Sequence, residues 1–410
     1  MAKYKILVIP SDNYGCGKFR SIDPHECLRK KYGDIFEIDI MFGKEVFEYR
    51  QTYPEFLKKY DLIHIHKQFD FDGYFISVCK YLGKLVVVDV DDHYDLGSYH
   101  PMSYAARKEN WAERVLVHIR NADWVTTTQD VFRKILLKNN KNVFVLPNAI
   151  DPTEEQFQIN TTKSDRLRVG IVCGSTHLED LKLFGDMVAQ FSKEELDRLQ
   201  FVLCGFDTKG SVTRFLENGE KVVLPLNPTE TCWYKYEQIL TNDYKSVSKE
   251  HADFLHEFVP NQDFANWENE PYRRCWTKDI KEYATHYNSI DVLLAPLVNN
   301  PFTIAKSNLK VIEAGFCNKA LIVSHAGPYG EDLISAIGKN GVINPDGNCL
   351  LVEPTKNKNW VKYIRLLLNN KDLLLQLQHN LHETVKDKYD LRNITDIRKD
   401  FYLKILEEKK

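Results

Sequence analysis

Short runs of apolar and β-branched residues alternate with amphipathic stretches along most of the chain, which is typical of βα units around a mostly parallel sheet. In the first 150 residues the runs predict strands at 4–9, 36–40, 62–66, 84–90, 124–127 and 142–146. The uninterrupted run at 85–88 favours a strand that is buried on both faces, as strands of parallel sheets are. Helices are expected between the strands, among them 103–120 and 129–138.

A polar stretch at 151–166 interrupts this pattern, and we interpret it as a linker. Beyond it a second series of strands is predicted at 168–173, 199–204, 221–224, 291–295, 320–324 and 349–352. The chain after residue 352 is expected to be helical, and 207–276 fits no clear place in the series. We therefore predict an α/β protein with two Rossmann-like domains, 1–150 and 167–390, and a C-terminal helix at 391–410.

Composition narrows the class of protein. The chain has 410 residues, of which 43% are apolar and 28% charged, as in ordinary globular proteins. A net charge of -3 gives no strong field to attract nucleic acid or an anionic membrane. The nine cysteines form no C-x-x-C pair, so neither a zinc ribbon nor a redox dithiol is indicated. With no signal-peptide pattern and no membrane-length apolar run, we expect a reduced, cytoplasmic protein.

Two glycine-containing turns follow predicted strands. Gly15 and Gly17 come after the first strand, where glycines let the backbone approach a phosphate, although the spacing departs from G-x-G-x-x-G. Gly174 and Ser175 come after the strand at 168–173, where backbone N–H groups can also bind a phosphate. A tight turn in the first case, and a well-capped helix in the second, explain the same residues without a ligand.

Polar residues crowd the ends of the strands predicted at 62–66 and 84–90. Because ligands of an open α/β sheet bind at the carboxyl ends of its strands, we expect these side chains to face a polar substrate. They are His64, His66, Asp91, Asp92 and His93. Asp89 and Asp91 also form a D-x-D sequence, but so short a motif is a weak basis for a metal site. Solvated or structural roles remain the alternatives for the whole set.

The segment 291–316 carries the strongest signal. A buried strand ends at Pro296, a loop follows, and a helix is predicted to open near Lys306 and Ser307. A lysine, a hydroxyl and a helix N-terminus together suit a diphosphate. Glu313 lies two turns into that helix, where a carboxylate can accept both hydroxyls of a ribose.

The segment 291–315 and its continuation 319–324 resemble the donor-binding signature of GT-B glycosyltransferases, most closely the large retaining family called group 1 or GT4-like. Three other segments are similar to that family in order and spacing, namely 121–128, 145–151 and 169–180. Two positions depart from it. Ala305 stands where the family often has the first of two glutamates. The residues that follow match a subgroup with the pattern K-S-x-L-K-x-x-E. Ala149 stands where the family usually has a glycine.

The resemblance implies two Rossmann-like domains facing a central cleft, with a C-terminal helix that crosses back onto the N-terminal domain. It implies transfer of a sugar from a UDP- or GDP-linked donor to a glycan or lipid-linked acceptor, with retention and without a metal or a permanently bound cofactor. The donor-binding residues it suggests are Gly15, Gly17, Gly174, Ser175, Lys306, Ser307 and Glu313. On the acceptor side it suggests His64, His66 and Asp91, and the candidate catalytic residues are Asp92, His93 and Lys306.

Three alternatives stay open at this point. A GT-A enzyme with manganese on Asp89 and Asp91 would leave the second series of βα units unexplained. A catalytically silent relative that binds a nucleotide sugar is favoured only by Ala305. A phage-type enzyme acting on modified DNA bases keeps the chemistry but changes the acceptor, and the nearly neutral charge disfavours it. A lipid-linked acceptor would bring the protein to a membrane surface.

Overall fold

The computed structural model describes residues 4–67, 73–160, 162–218, 220–242, 246–338, 340–354 and 357–409. The chain divides into two compact units. Unit 1 consists of Met1–Asp151, Asn300–Leu309 and Asp387–Lys410, and unit 2 of Pro152–Asn299 and Lys310–Lys386. Unit 1 thus takes up 300–309, which the sequence pattern places in the second domain.

The strands are, in chain order, β1 Tyr4–Ile9, β2 Phe36–Ile40, β3 Leu62–His66, β4 Leu85–Val90, β5 Trp124–Thr127, β6 Val143–Val145, β7 Leu167–Val172, β8 Leu199–Phe206, β9 Ser211–Phe215, β10 Lys221–Pro225, β11 Tyr272–Trp276, β12 Val292–Ala295, β13 Ala320–Ser324 and β14 Leu350–Val352.

The α-helices are α1 Gly15–Gly17, α2 Asp23–Tyr32, α3 Gly43–Phe47, α4 Tyr53–Leu57, α5 Gly73–Tyr81, α6 Ser103–Lys108, α7 Trp111–Asn121, α8 Asp130–Leu136, α9 Leu178–Leu181, α10 Lys193–Leu196, α11 Cys232–Thr241, α12 Lys249–Glu257, α13 Pro301–Ile304, α14 Leu309–Phe316, α15 Lys358–Asn369, α16 Lys371–Val385 and α17 Leu391–Glu408. Among the residues described, no helix combines the length and the apolar character that crossing a membrane requires.

Unit 1 is built on a six-stranded parallel sheet of order β2-β1-β3-β4-β5-β6. The central strands β3 and β4 are buried on both faces, and β4 shows why. Leu85 and Val87 belong to one apolar cluster, which includes Phe401 of α17. Val86 and Val88 belong to a second cluster on the opposite face. The continuous apolar run therefore serves two layers at once, as its sequence predicts.

The last helix, α17, packs on the sheet of unit 1. Tyr402 and Ile405 are buried in the same cluster as Ile6 and Val8 of β1. The chain enters this helix through hydrogen bonds of Ile150 N–H to the Tyr389 carbonyl and of Leu391 N–H to the Ile150 carbonyl, both 2.9 Å. The expected return of the C-terminal helix to the N-terminal sheet is confirmed.

Unit 2 contains a second six-stranded parallel sheet, of order β11-β8-β7-β12-β13-β14. When only the strands of this sheet are numbered along the chain, the order is 3-2-1-4-5-6, that of a Rossmann fold. The order reverses between β7 and β12 in unit 2, and between β1 and β3 in unit 1. Ligands of open α/β sheets bind beside such switch points, at the carboxyl ends of the strands.

Two sequence predictions are corrected by the structure. The strand predicted at 221–224 is not part of the main sheet, because β10 pairs antiparallel with β9 in a separate hairpin, and β11 takes the third position instead. The single helix predicted at 103–120 is two helices, α6 and α7. They are separated at Asn110, whose φ of 56° lies in the left-handed region that a helix cannot include.

Candidate functional site

Asp89, at the end of β4, is held in a buried ion pair with Arg20. The guanidinium donates to both carboxylate oxygens, at 2.9 and 2.7 Å, and Thr126 donates to one of them at 2.6 Å. Burial alone would raise the pKa of Asp89, but the charge and hydrogen bonds of Arg20 outweigh it and lower the pKa. Arg20 neutralises the carboxylate in a fully buried ion pair, so Asp89 is a structural residue here and not a free metal ligand.

Asp91 lies two residues further on, after β4, the strand next to the switch point of unit 1. Its Oδ1 accepts a hydrogen bond from Lys67 Nζ at 2.8 Å and lies 3.3 Å from His66 Nε2. Burial would raise the pKa of Asp91, yet the Lys67 charge holds it well below its usual range. Lys67 Nζ is also 3.5 Å from Asp92 Oδ2, and Ser11 Oγ lies 2.9 Å from His66 Nδ1.

The predicted residues His66, Asp91 and Asp92 thus come together, around a lysine that the sequence analysis missed. The Cys16 thiol lies near the two aspartates, with one ligand atom of each residue within 4.8 Å of the others, so the three could hold a metal ion. The ammonium of Lys67 already occupies the position of a cation between the carboxylates. Its signal in the sequence is a lysine placed directly after a strand at the switch point.

His64 lies elsewhere. It comes two positions before His66 in β3, which is about 6.6 Å along the strand. His64 therefore lies in the core beneath α17 and not at the end of the sheet. It is fully buried, with Nδ1 3.0 Å from the Tyr402 hydroxyl and its ring 4.6 Å from that of His25. Burial lowers the pKa of His64 well below its usual value, so the ring is neutral. Its assignment to the acceptor side stays a prediction, which this position does not support.

His93 follows Asp92 in the loop after β4. Its ring stacks on Tyr94 with centroids 4.5 Å apart, and burial lowers its pKa. Nδ1 accepts the backbone N–H of Asp95 at 3.0 Å, so in the neutral ring the proton is on Nε2. His93 can therefore offer a hydrogen-bond donor to a ligand.

A cavity of about 450 Å³ opens in the same loop region of unit 1. Its lining combines the Tyr94 ring with the polar groups of Asp95, Ser103, Arg107 and Asn110. An aromatic face surrounded by hydrogen-bonding side chains suits a polyhydroxylated ligand.

The glycine turn after β1 is closed by Asp12. Its Oδ1 accepts the N–H groups of Tyr14, at 2.8 Å, and Gly17, at 3.0 Å. A Cβ on Gly17 would lie 1.8 Å from the Asp12 carbonyl oxygen, whereas one on Gly15 would have no described atom within 4 Å. A phosphate would have to displace the Asp12 carboxylate from these N–H groups, and the assignment of the two glycines to the donor stays a prediction.

Lys306 and Ser307 lie in the connection between α13 and α14, within unit 1. The helix predicted to open at these residues begins at Leu309. The Lys306 carbonyl accepts a hydrogen bond from the Gln129 side chain, and its ammonium lies 5.3 Å from the centre of the Phe302 ring. The backbone is thus fixed to unit 1. Their role at a diphosphate is not tested by this geometry.

Glu313, in unit 2, is buried and has three partners. Tyr283 donates to Oε1 at 2.6 Å, and Tyr287 and Lys310 donate to Oε2 at 2.6 and 2.8 Å. Burial, and then the Glu313 charge, raise the pKa of both tyrosines well above the usual value, so they are donors. A carboxylate has about four acceptor positions, which leaves one on Oε1 for a ligand hydroxyl. The sequence analysis missed these tyrosines, whose signal is their four-residue spacing.

Gly174 and Ser175 lie exposed after β7, at the switch point of unit 2. The Gly174 carbonyl accepts a hydrogen bond from the Tyr236 hydroxyl at 3.3 Å. The oxygen of the same hydroxyl accepts the His177 N–H at 2.8 Å. Asp180 then ties this loop to the one after β12, because it contacts His177 Nδ1 at 2.7 Å and accepts the Val298 N–H at 2.8 Å. The two loops beside the switch point are therefore held by side chains.

Two doubly wound parallel sheets, one in each unit, and a C-terminal helix that packs on the first define the fold of the GT-B glycosyltransferases. The GT-A alternative is therefore wrong at the level of the fold. No family model matches the sequence, and no curated protein matches it.

Solved structures match over almost the whole chain. HepE from Anabaena, in complex with UDP and glucose, is 11% identical with a TM-score of 0.60, covering 97% of this chain and 99% of that one. A glycosyltransferase from Rickettsia africae ESF-5 is 13% identical with a TM-score of 0.59, covering 100% and 99%. A trehalose-6-phosphate structure from E. coli, bound with UDP-2-fluoro glucose, is 11% identical with a TM-score of 0.55, covering 98% of each chain. At such low identity these likenesses show the fold alone.

Proposed function

We propose that the protein is a glycosyltransferase that moves a sugar from a nucleotide-diphosphate donor, of the UDP type, to a glycan or lipid-linked acceptor. The observation that carries this proposal is the likeness of the entire chain, both units included, to structures such as HepE that hold UDP with glucose or UDP-glucose. The polar groups gathered at the switch point of each unit are the second support.

On the donor side, Glu313 accepts one ribose hydroxyl through the acceptor position that remains on Oε1. Lys306 and Ser307 bind the diphosphate, and the exposed backbone at Gly174 and Ser175 assists. The charge that develops on the leaving diphosphate is stabilised by such fixed positive groups, so the transfer needs no bound metal. We assign Gly15 and Gly17 a part at the phosphates, through N–H groups that Asp12 holds in the free protein.

On the acceptor side, the cluster of His66, Lys67, Asp91 and Asp92 orients and activates the acceptor hydroxyl. Asp92 is the candidate base, because Lys67 lowers the pKa of Asp91 well below its usual range and so makes that carboxylate a weaker base. The neutral ring of His93 donates a hydrogen bond to the substrate. The cavity at Tyr94 and Arg107 receives a sugar of the acceptor. We propose retention of the anomeric configuration, which the resemblance to the retaining family supports.

A silent nucleotide-sugar-binding relative is the second candidate, and one observation favours it. Ala305 is completely buried in the apolar core of unit 1, so no glutamate can occupy this place without changing the packing. The loss of that carboxylate would leave Lys306 as the charged group of the loop.

Donor turnover tests the proposal. The protein is incubated with UDP-glucose and other UDP-, GDP- and ADP-sugars, and nucleotide release is followed with and without saccharide acceptors. We expect release of UDP from at least one donor, stimulated by an acceptor. Binding of a donor without any release would favour the silent relative, and absence of both would overturn the proposed function.

A further inference from the structure

Two buried cysteines face each other on neighbouring strands of unit 2. Cys204 of β8 and Cys275 of β11 are direct partners in the parallel register. Their side chains therefore lie on the same face of the sheet. Phe201 and Leu203 of β8 belong to the main apolar cluster of unit 2, whereas Cys204 lies outside it. The register shifts after Cys275, at a β-bulge of the kind that redirects side chains.

A histidine completes this group. His286 lies in the middle of a 3₁₀ helix at Tyr283–Ser289, which we call helix 283–289. One ligand atom each from Cys204, Cys275 and His286 lie within 4.8 Å of one another, and all three residues are buried. His286 Nε2 is buried and makes no hydrogen bond to any residue that the structure describes. An unpartnered buried ring nitrogen costs stability unless something else binds there.

We propose that Cys204, Cys275 and His286 bind a Zn²⁺ ion, with a water molecule as the fourth ligand of the tetrahedron. Cysteine sulfur and histidine nitrogen are the preferred zinc ligands, with bonds of about 2.3 and 2.0–2.1 Å. Two sulfur atoms bound tetrahedrally would be about 3.8 Å apart, so the ligand atoms need to move by about 1 Å or less.

The charges of this site balance. Binding releases one proton from each thiol to solvent, and two thiolates with a neutral imidazole then compensate the two positive charges of the ion. The complex has no net charge, which removes the large cost of leaving a charge in the protein interior. No oxidant or reductant takes part.

The ion would fix helix 283–289, whose two tyrosines donate hydrogen bonds to Glu313. Tyr283 and Tyr287 flank His286 in helix 283–289, and both donate to the Glu313 carboxylate at 2.6 Å. An anchor at His286 therefore orients both tyrosines. The zinc site is independent of the proposed function, since none of its three protein ligands is assigned to the donor or to the acceptor.

Metal content tests the site directly, with no nucleotide present. The full chain is purified under reducing conditions without chelator, and zinc is measured by mass spectrometry. We expect about one zinc per chain, and loss of at least nine-tenths of it in Cys204→Ser and in Cys275→Ser. Cys349→Ser is the matched control, because Cys349 is an equally buried thiol of unit 2 outside the cluster, and it should retain the ion. Cobalt substitution should give a thiolate charge-transfer band in the wild type and not in Cys275→Ser.

Alkylation of the wild type covers the case in which the serine variants do not fold. Zinc should protect Cys204 and Cys275 from a thiol reagent, as identified by peptide mapping, while a chelator should expose them. The proposal is overturned if the reduced wild type binds no zinc above background, if Cys275→Ser binds as much as the wild type, or if oxidised protein contains a Cys204–Cys275 disulfide in place of a metal. These outcomes leave the turnover test unaffected.

Discussion

At the scale of single residues, two aspartates of one strand end have opposite surroundings. Asp89 has both oxygens engaged by Arg20 and Thr126 inside the protein. Asp91, two positions on, is paired with Lys67 at the end of the sheet. The buried pair makes Arg20 sensitive to substitution, because removing one partner of such a pair leaves an uncompensated charge and costs about 3–5 kcal/mol.

The two glycines of the turn after β1 differ in the space that a side chain would have. We expect Gly17→Ala to lower the free energy of unfolding by about 1–3 kcal/mol, because its Cβ would collide with the Asp12 carbonyl. Gly15→Ala has open space and should change it by less than about 0.5 kcal/mol. Urea titrations of the two variants make the comparison, and equal effects would show that the turn differs from the one described.

Lys306 is the residue on which the donor assignment depends most. If its ammonium stabilises the leaving diphosphate, Lys306→Ala should lower kcat about 10²–10³-fold with little change in stability. Lys362→Ala, an exposed lysine on α15, is the control and should retain full activity. Activity of Lys306→Ala close to that of the wild type would remove Lys306 from the site.

The sequence predicted part of this site and not the rest. His66, Asp91 and Asp92 were predictable, because the ends of neighbouring parallel strands meet at one edge. Lys67 and the tyrosines at Glu313 were not, since their roles depend on distances across the fold. The burial of His64 beneath α17 was not predictable for a related reason, because a strand-end position does not reveal where the core stops.

At the scale of elements, the hydrophobic pattern was informative wherever a strand is buried on both faces, as in β4. It located β10 correctly but not its place in the fold, because this strand forms an exposed hairpin with β9 and is not part of the main sheet. The pattern also predicted one helix where the structure has α6 and α7, because hydrophobic periodicity does not show that Asn110 adopts a left-handed conformation. Local periodicity encodes neither the pairing partner of a strand nor a single backbone angle.

The packing of α17 on the sheet should make unit 1 acid-sensitive. His25 and His64 are buried against Tyr402, and burial lowers the pKa of each well below its usual value. Below about pH 6.5 the unfolded chain takes up protons that the folded protein excludes, so stability falls as the pH falls. From pH 7.5 to 5.5 we expect a loss of about 3 kcal/mol for the two histidines together.

Urea unfolding at these two pH values checks this expectation. His64→Gln should remove about half of the loss, because glutamine does not titrate but can still accept from Tyr402. His379→Gln, an exposed histidine of α16, should leave the loss unchanged. The same pH dependence in all three proteins would place the acid-sensitive groups elsewhere.

At the scale of the whole molecule, the βα alternation and its restart after a linker predicted the α/β class and two parallel sheets, although β11 of the second sheet was missed. The place of 300–309 in unit 1 was not predictable, because it depends on contacts distant in sequence. Tyr99 donates to Asn300 Oδ1 at 2.5 Å, Gln129 binds the Lys306 carbonyl, and Ala305 is buried in the core of unit 1. The loop with Lys306 and Ser307, proposed to bind the diphosphate, thus belongs to the unit that also carries the cluster proposed to bind the acceptor.

Nucleotide binding tests the central claim most directly. Thermal unfolding is measured with UDP, GDP and ADP and with UDP-sugars, each with and without EDTA and each compared with a nucleotide-free sample containing the same EDTA. A ligand at about 100 times its Kd adds about 2.7 kcal/mol of stability. The account predicts an increase in Tm with UDP and UDP-sugars that persists in EDTA. An increase that EDTA abolishes would contradict metal-independent chemistry, and no response to any nucleotide would contradict the proposed function itself.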